Sequence, residues 1–221
     1  MKMDNGLMNS KLFDRLTWPT YENCIPEFQD YFRSEAAAVV PLLMNNPNVL
    51  DFGCGYGREF SFLEPFASSI TAFDINQSEL EEAGNNPYNN IKLARADARN
   101  LPFKDNTFDL ALMLYNIFGN VGAERSKILS EAYRVLKPKG LVAISVYSED
   151  AAPFQLKQYQ KWNIAGDVHI TDNSVHVGYP DFTMISDRLT KKELTDLLFQ
   201  AGFTPGVRNL NEFSYFGVGL K

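Results

Sequence analysis

Val49-Leu50-Asp51-Phe52-Gly53-Cys54-Gly55-Tyr56-Gly57-Arg58 carries a short apolar run into a loop with glycine at every second position. The run reads as a buried strand. Glycine in such a loop permits positive φ and lets a ligand approach the backbone. The helix start that follows offers free N–H groups, which favour an anionic group. Two details separate this loop from a dinucleotide fingerprint of the form G-x-G-x-x-G: position 58 is arginine where that pattern needs glycine, and Asp51 stands two residues before the first glycine. A carboxylate there matches a ligand carrying an ammonium or sulfonium better than a pyrophosphate. The plain alternative is that Asp51 only accepts hydrogen bonds from its own loop.

Reading outward, Asp74 ends a second apolar run 23 residues after Asp51. An acid at this spacing suits the two hydroxyls of a ribose, although alone it would serve equally as a helix cap. Strands are expected at 48–51, 70–74, 91–94, 108–114 and 141–147, with helical periodicity between them, which is the pattern of an α/β sheet. Pro26 suits a first helical position, and Pro41 must kink or end that helix. Asn76 with Glu79, and Thr190 with Glu193, have capping-box spacing. The segment 124–136 places Ile128, Ala132 and Val135 on one face and is closed by Lys137, Pro138 and Gly140. Leu194, Leu197, Leu198 and Ala201 form a similar stripe before Gly202, and 203–209 with 213–220 read as a closing antiparallel pair.

Two stretches lie outside the alternation. Residues 1–25 are irregular and carry Phe13, Trp18 and Tyr21, and residues 148–187 interrupt the sheet after its fifth strand. Within the second, 168–171 and 175–179 flank Asp172-Asn173-Ser174, which is hairpin chemistry. Both stretches are expected to cover a pocket at the carboxyl ends of the strands. His169 and His176 fall in the hairpin, seven residues apart, and are expected on opposite faces. Either could take a proton from a substrate, against the plainer reading of surface histidines. Trp18, Tyr21, Tyr31, Tyr147 and Trp162 are candidate pocket aromatics, against the plainer reading of core residues.

Composition narrows the class. With 221 residues, 45% of them apolar, the chain can bury one sizeable core. A net charge of -6 argues against a protein that neutralises many phosphates, so nucleic acid is not the expected partner. Cys24 and Cys54 have no metal-ligand spacing, so no metal site is expected and both read as reduced thiols. The longest apolar run, interrupted by Pro41, is far shorter than the roughly 20 residues of a membrane helix, and no secretory core opens the chain. A cytoplasmic protein that stays off membranes is expected.

Taken together, VLDFGCGYGR (49–58), ITAFDIN (70–76), ARADARNLPF (94–103), DNTFDLALMLYN (105–116) and LSEAYRVLKPKGLVAISVY (129–147) resemble the class I S-adenosylmethionine-dependent methyltransferases of the small-molecule-like branch. The resemblance implies an α/β, Rossmann-like, seven-stranded, mostly parallel sheet with an antiparallel last strand and helices on both faces. It implies S-adenosylmethionine as methyl donor and S-adenosylhomocysteine as product. Carried over by position, Gly53, Gly55 and Gly57 border the methionine moiety, Asp51 reaches its ammonium and Arg58 its carboxylate. Asp74 holds the ribose, Ile75 packs on the base, and Asp97 with the Ala98 N–H reads the adenine. The Tyr115 carbonyl lies near the methionine amine.

One domain is expected: 1–45 as an N-terminal cap and helix, 46–147 as the cofactor-binding core, 148–187 as a cap insertion and 188–221 as the closing helix and strands. Tyr115 and Asn116 are expected beside the transferring methyl, with His169 as a candidate base. In-line transfer from a sulfonium needs an aligned nucleophile more than a dedicated base. The expected acceptor is a small molecule. RNA or protein acceptors, or a non-catalytic S-adenosylmethionine-binding regulatory module, stand as alternatives, and a nicotinamide oxidoreductase is disfavoured by Arg58 and Asp51.

Overall fold

The computed structural model describes residues 23–85, 88–164, 166–178 and 183–221. Its frame is a seven-stranded sheet built from β1 (Asn48–Phe52), β2 (Ser69–Asp74), β3 (Ile91–Arg95), β4 (Phe108–Met113), β5 (Leu136–Tyr147), β9 (Thr204–Asn211) and β10 (Ser214–Leu220), in the order β3-β2-β1-β4-β5-β10-β9. Strands β1 to β5 pair in parallel, and β10 lies antiparallel between β5 and β9. The reversal in strand order beside β1 puts the carboxyl ends of β1, β2 and β4 at a topological switch point, where open α/β sheets bind ligands.

Alternation along each strand feeds two cores. Leu50, Phe52, Met113, Ile144 and Val146 face one layer, with α5 (Arg125–Val135) and α7 (Lys191–Gln200) packed on them through Leu129, Ala132, Leu194 and Leu198. Val49, Ile70, Ala72, Leu112 and Ala143 face the other, against α1 (Pro26–Val39), α2 (Phe60–Leu63) and α3 (Gln77–Ala83). This double-sided burial explains the near-continuous apolar runs of the strands.

The helix ends follow the sequence signals. Pro26 opens α1, and Pro41 falls in a 3₁₀ turn, Val40–Leu43, that ends it. Thr190 and Glu193 form a complete capping box on α7. Asn76 caps α3 by accepting from the Ser78 N–H, while its own amide donates to Glu79 at 3.0 Å. One boundary differs. The fifth strand was expected from residue 141, yet β5 begins at Leu136, directly after α5, because Leu136 pairs with Phe108 before the register shifts to Leu110 opposite Leu141. The Pro138-Lys139-Gly140 stretch is accommodated within that irregular register, with Lys139 at φ 68° and its N–H donated to the Lys221 carbonyl.

After β5 come a 3₁₀ turn (Glu149–Ala151), α6 (Ala152–Lys161) and a second, antiparallel sheet of β6 (Asp167–Ile170), β7 (Ser174–Gly178) and β8 (Thr183–Asp187). Val175, Val177 and Met184 pack on Tyr159 of α6. The hairpin is present, but its histidines are not on opposite faces: His169 and His176 are direct cross-strand partners and share one face. Counting seven residues along one strand misleads here, because the turn reverses the chain and pairing register decides which side chains meet.

Leu129 is fully buried beneath the sheet, so Leu129→Ala should lower stability by about 2–5 kcal/mol. Thr190→Ala should cost about 1 kcal/mol through the lost cap. Urea unfolding checks both, as a lower midpoint at unchanged slope.

Candidate active site at the strand ends

The loop after β1 turns tightly, with Gly53, Gly55 and Gly57 at φ 63°, 49° and 79°. At two of them the protein itself also demands glycine. A Cβ at Gly53 would stand 2.8 Å from Ile117 Cδ1, and one at Gly57 2.4 Å from the Phe60 ring. The loop is pinned to the next strand by the Gly55 N–H, which donates to Asp74 Oδ2 at 3.0 Å. Asp74 Oδ1 accepts from the Asn76 N–H at 2.9 Å, and the Ile75 N–H also donates to the carboxylate, which keeps part of its acceptor capacity.

Asp51 is 1% exposed, and among the described residues its Oδ2 has no hydrogen-bond partner. Burial pushes its carboxyl well above the ordinary range, and the neighbouring Glu59 charge adds to this. Glu59 and Asp74 are raised as well, chiefly by burial. Buried carboxylates normally carry paired hydrogen bonds, so an orphaned oxygen in an acidic pocket is the imprint of a cation-bearing ligand.

Arg58 would be the obvious partner for Asp51, but it is engaged elsewhere. Its guanidinium donates to Glu35 Oε2 at 2.6 Å and to Glu59, and lies 4.6 Å from the Phe32 ring centroid. The sequence reading missed Glu35. Its signal was present: Phe28, Tyr31, Phe32, Ala38 and Val39 form the buried stripe of α1, and Glu35 occupies a position on that stripe.

Just beyond β4, ahead of the short helix α4 (Ile117–Asn120), Tyr115 and Asn116 both adopt positive φ, 52° and 59°. Two successive non-glycine residues in the left-handed region store strain that their surroundings must hold. The Tyr115 N–H donates to Glu35 Oε1 at 2.8 Å and to Ser145 Oγ at 2.9 Å. The Asn116 side chain does not face an open site. Its Oδ1 accepts from the Tyr147 N–H at 3.0 Å and its Nδ2 donates to Ser186 Oγ at 2.9 Å, joining the central sheet to β8.

The Tyr115 hydroxyl bonds with that of Tyr147, and burial raises both phenols well above their usual value. Tyr31, Tyr147, Phe28 and Phe213 close into an aromatic cluster, so Tyr31 and Tyr147 are core residues as much as pocket residues. Trp162 packs at its edge and donates its indole N–H to the Asn23 carbonyl at 3.1 Å. Trp18 and Tyr21 lie outside the described residues.

Around the other end, Ile75 is 50% exposed beside Asp74, an apolar side chain without cover. Asp97 accepts from the Arg99 side chain at 2.6 Å, which holds its carboxyl below the ordinary range, and Ala98 lies in the same turn. His169 is exposed on the second sheet, and His176 Nε2 bonds with Ser174 Oγ at 2.7 Å. Burial raises the Cys54 thiol, which makes it an inert filler of the loop. A separate cleft of about 390 Å³, lined by Asn173, Arg188 and Leu197 among others, shares no residue with the glycine loop.

A parallel sheet with an antiparallel final strand, a glycine loop after β1 and acids ending β1 and β2 define the class: a Rossmann-like fold of the methyltransferase type. Residues 50–144 match the family described as Methyltransferase domain. The chain is 34% identical over 104 residues to a sterol 4-C-methyltransferase of Caenorhabditis elegans, covering 44% of this chain and 30% of that protein. It is 39% identical over 106 residues to a ubiquinone/menaquinone biosynthesis C-methyltransferase of Rickettsia bellii, covering 43% of this chain and 42% of that protein. The aligned part thus spans less than half the length of either curated relative.

Among solved structures, a Pyrococcus horikoshii protein superposes with a TM-score of 0.71 at 24% identity, covering 95% of this chain and 98% of that one. The Burkholderia thailandensis 1,6-didemethyltoxoflavin-N1-methyltransferase, solved with 1,6-didemethyltoxoflavin and S-adenosylhomocysteine, gives 0.64 at 17% identity, covering 96% and 87%. Residues 50–144 thus resemble a methyltransferase domain, in a chain whose fold is that of solved methyltransferase structures.

Because the Asp51 carboxyl titrates higher folded than unfolded, the folded chain holds a proton that the unfolded chain releases, and this contribution to stability falls as pH rises above 3.8. Asp51→Asn should therefore stabilise the ligand-free protein at neutral pH by about 1–3 kcal/mol. Its advantage over wild type should widen from pH 5 to pH 8 in thermal melts.

Proposed function

We propose that the protein is an S-adenosylmethionine-dependent methyltransferase that methylates a small molecule and releases S-adenosylhomocysteine. The observation that carries this is the buried, unpartnered Asp51 oxygen at the mouth of the glycine loop, among carboxylates with Arg58 already committed. The donor set fits the cofactor: Asp51 for the ammonium, the backbone at Gly53, Gly55 and Gly57 beside the methionine chain, and the Tyr115 carbonyl opposite. The acceptor capacity that Asp74 keeps after serving Gly55, Ile75 and Asn76 suits the ribose hydroxyls. Ile75 offers an apolar platform for the base, with Asp97 and the Ala98 N–H at its edge.

When bound, the cofactor supplies an activated methyl carbon. The protein's own task is to align an acceptor and keep water out. Tyr115 and Tyr147 stay protonated at neutral pH and do not act as bases; with the Tyr147 O–H given to Tyr115, the Tyr115 O–H is left to donate to an acceptor. Asn116 positions this region by binding the insertion to the sheet. Arg58 is held by Glu35 and Glu59 and frames the pocket without gripping the cofactor carboxylate. His169 stays outside the mechanism, being exposed and facing His176.

A small acceptor is favoured by the aromatic cluster at the ends of β4 and β5 and by the net charge of -6. The names of the relatives point the same way, to a sterol, to ubiquinone/menaquinone biosynthesis and to 1,6-didemethyltoxoflavin. The insertion after β5 forms the cap in this reading, and the N-terminal residues 1–22 expected to share in it lie outside the described residues. No described helix is long and apolar enough to cross a membrane, and a cytoplasmic site of action is proposed.

Asp74→Ala should weaken S-adenosylhomocysteine binding by about a hundredfold in calorimetry, for two lost charge-assisted hydrogen bonds. Retained affinity would sink the cofactor reading. An RNA acceptor would instead show binding that falls steeply with added salt.

A further inference from the structure

Glu35 is fully buried and lies on α1, far in sequence from every element it touches. Its carboxylate joins three strand ends. Oε2 accepts from Arg58 at 2.6 Å, at the helix start after β1. Oε1 accepts from the Tyr115 N–H at 2.8 Å, at the end of β4, and from the Ser145 hydroxyl on β5. Ser145 Oγ accepts in turn from the Tyr31 hydroxyl at 3.0 Å, so the network is closed on the α1 side as well.

Two consequences follow from this geometry. The Tyr115 N–H is clamped at its left-handed turn by Glu35 and Ser145, and the next peptide, which carries the Tyr115 carbonyl, is held by the Asn116 N–H donating to the Ser145 carbonyl at 3.2 Å. Arg58, whose charge acts on Asp51, is held by Glu35 and Glu59, and Asp51 keeps an oxygen without a partner. Without one of its two acceptors, a guanidinium beside an orphaned buried carboxylate has every electrostatic reason to pair with it.

We propose that Glu35 is a positioning residue of the cofactor site: from α1 it diverts Arg58 away from Asp51 and sets the Tyr115 peptide, so that the amino-acid end of S-adenosylmethionine meets an unpaired carboxylate. The inference rests on the cofactor reading above. It assigns to α1 a share in cofactor binding through a residue that touches no part of the cofactor. The effect is confined to one end of the ligand, because the ribose and adenine residues Asp74, Ile75 and Asp97 have no bond to Glu35.

That confinement supplies the test. S-adenosylhomocysteine and 5′-methylthioadenosine share the adenosyl end, and only the first carries the ammonium and carboxylate. Calorimetry gives both dissociation constants and, from the stoichiometry, the folded fraction. In Glu35→Gln, which keeps the side-chain size, the preference for S-adenosylhomocysteine over methylthioadenosine should fall by roughly tenfold. Methylthioadenosine binding should stay within about twofold. Adding Arg58→Gln to that variant removes the competing cation and should restore part of the preference.

An unchanged preference in E35Q overturns the proposal, as does an equal loss for both ligands, which marks a merely structural residue. A double variant no better than E35Q also overturns it. If E35Q does not fold, Glu35→Asp withdraws the carboxylate by one methylene and is read by the same ratio. A wild-type protein that binds neither ligand would instead sink the cofactor reading itself.

Discussion

A carboxyl group taken out of water without a hydrogen-bond partner is among the least comfortable groups a fold can hold, and the strand-end region is arranged around one. Asp51 is oriented by β1, the most central of the parallel strands at the switch point, with β2 on one side and β4 on the other. Its neighbours do not relieve it. Asp74 and Glu59 are acids, and Arg58, whose charge reaches Asp51, is held by two other carboxylates. The ligand-free pocket is thus poorly neutralised, and binding of a cation would recover free energy that folding alone leaves unrecovered. Affinity for the ligand and instability of the empty site are two aspects of one arrangement.

Around that centre, the backbone is held by side chains of the protein itself. The glycine loop fills its own concavities with Ile117 and Phe60, and the strained turn at Tyr115 and Asn116 is gripped by Glu35, Ser145 and the Tyr147 peptide. Pre-organisation of this kind reduces the ordering cost of binding. It also explains why the tyrosines expected in a pocket are so deeply packed: Tyr31 and Tyr147 serve as walls for the turn.

Much of this was legible in the sequence wherever function and backbone geometry coincide. Parallel strands must end in turns, and turns that approach a ligand need glycine and acids at set distances, so Asp51, the three glycines and Asp74 stand out from spacing alone. Strand positions followed from apolar runs buried on both faces. Side-chain partnerships across long sequence separations left no such trace. Glu35 and Ser145 lie 110 residues apart and share no motif, and the only hint was an acid on the apolar stripe of α1. The shared face of His169 and His176 was hidden because register, not residue count, sets cross-strand neighbours. The early start of β5 was hidden by Pro138 and Gly140, which look like terminators yet are absorbed in a register shift.

The insertion after β5 leaves and rejoins the core at a single point. Ser148 donates its N–H to the Phe213 carbonyl as the segment departs, and Leu189 donates to the Tyr147 carbonyl as it returns. The residues on either side of the detour are thus hydrogen-bonded neighbours, and the central sheet would close the same way whatever hung between them. Apart from that junction, the segment is moored chiefly by side chains, Asn116 to Ser186 and Arg125 to Asp187, and on the α1 side Gln158 to the Ile25 N–H and Trp162 to the Asn23 carbonyl. A part attached in this manner is an exchangeable module. Lineages that share the strand-end chemistry are free to replace it wholesale, since lengthening or rebuilding a loop whose ends already touch adds little entropic cost.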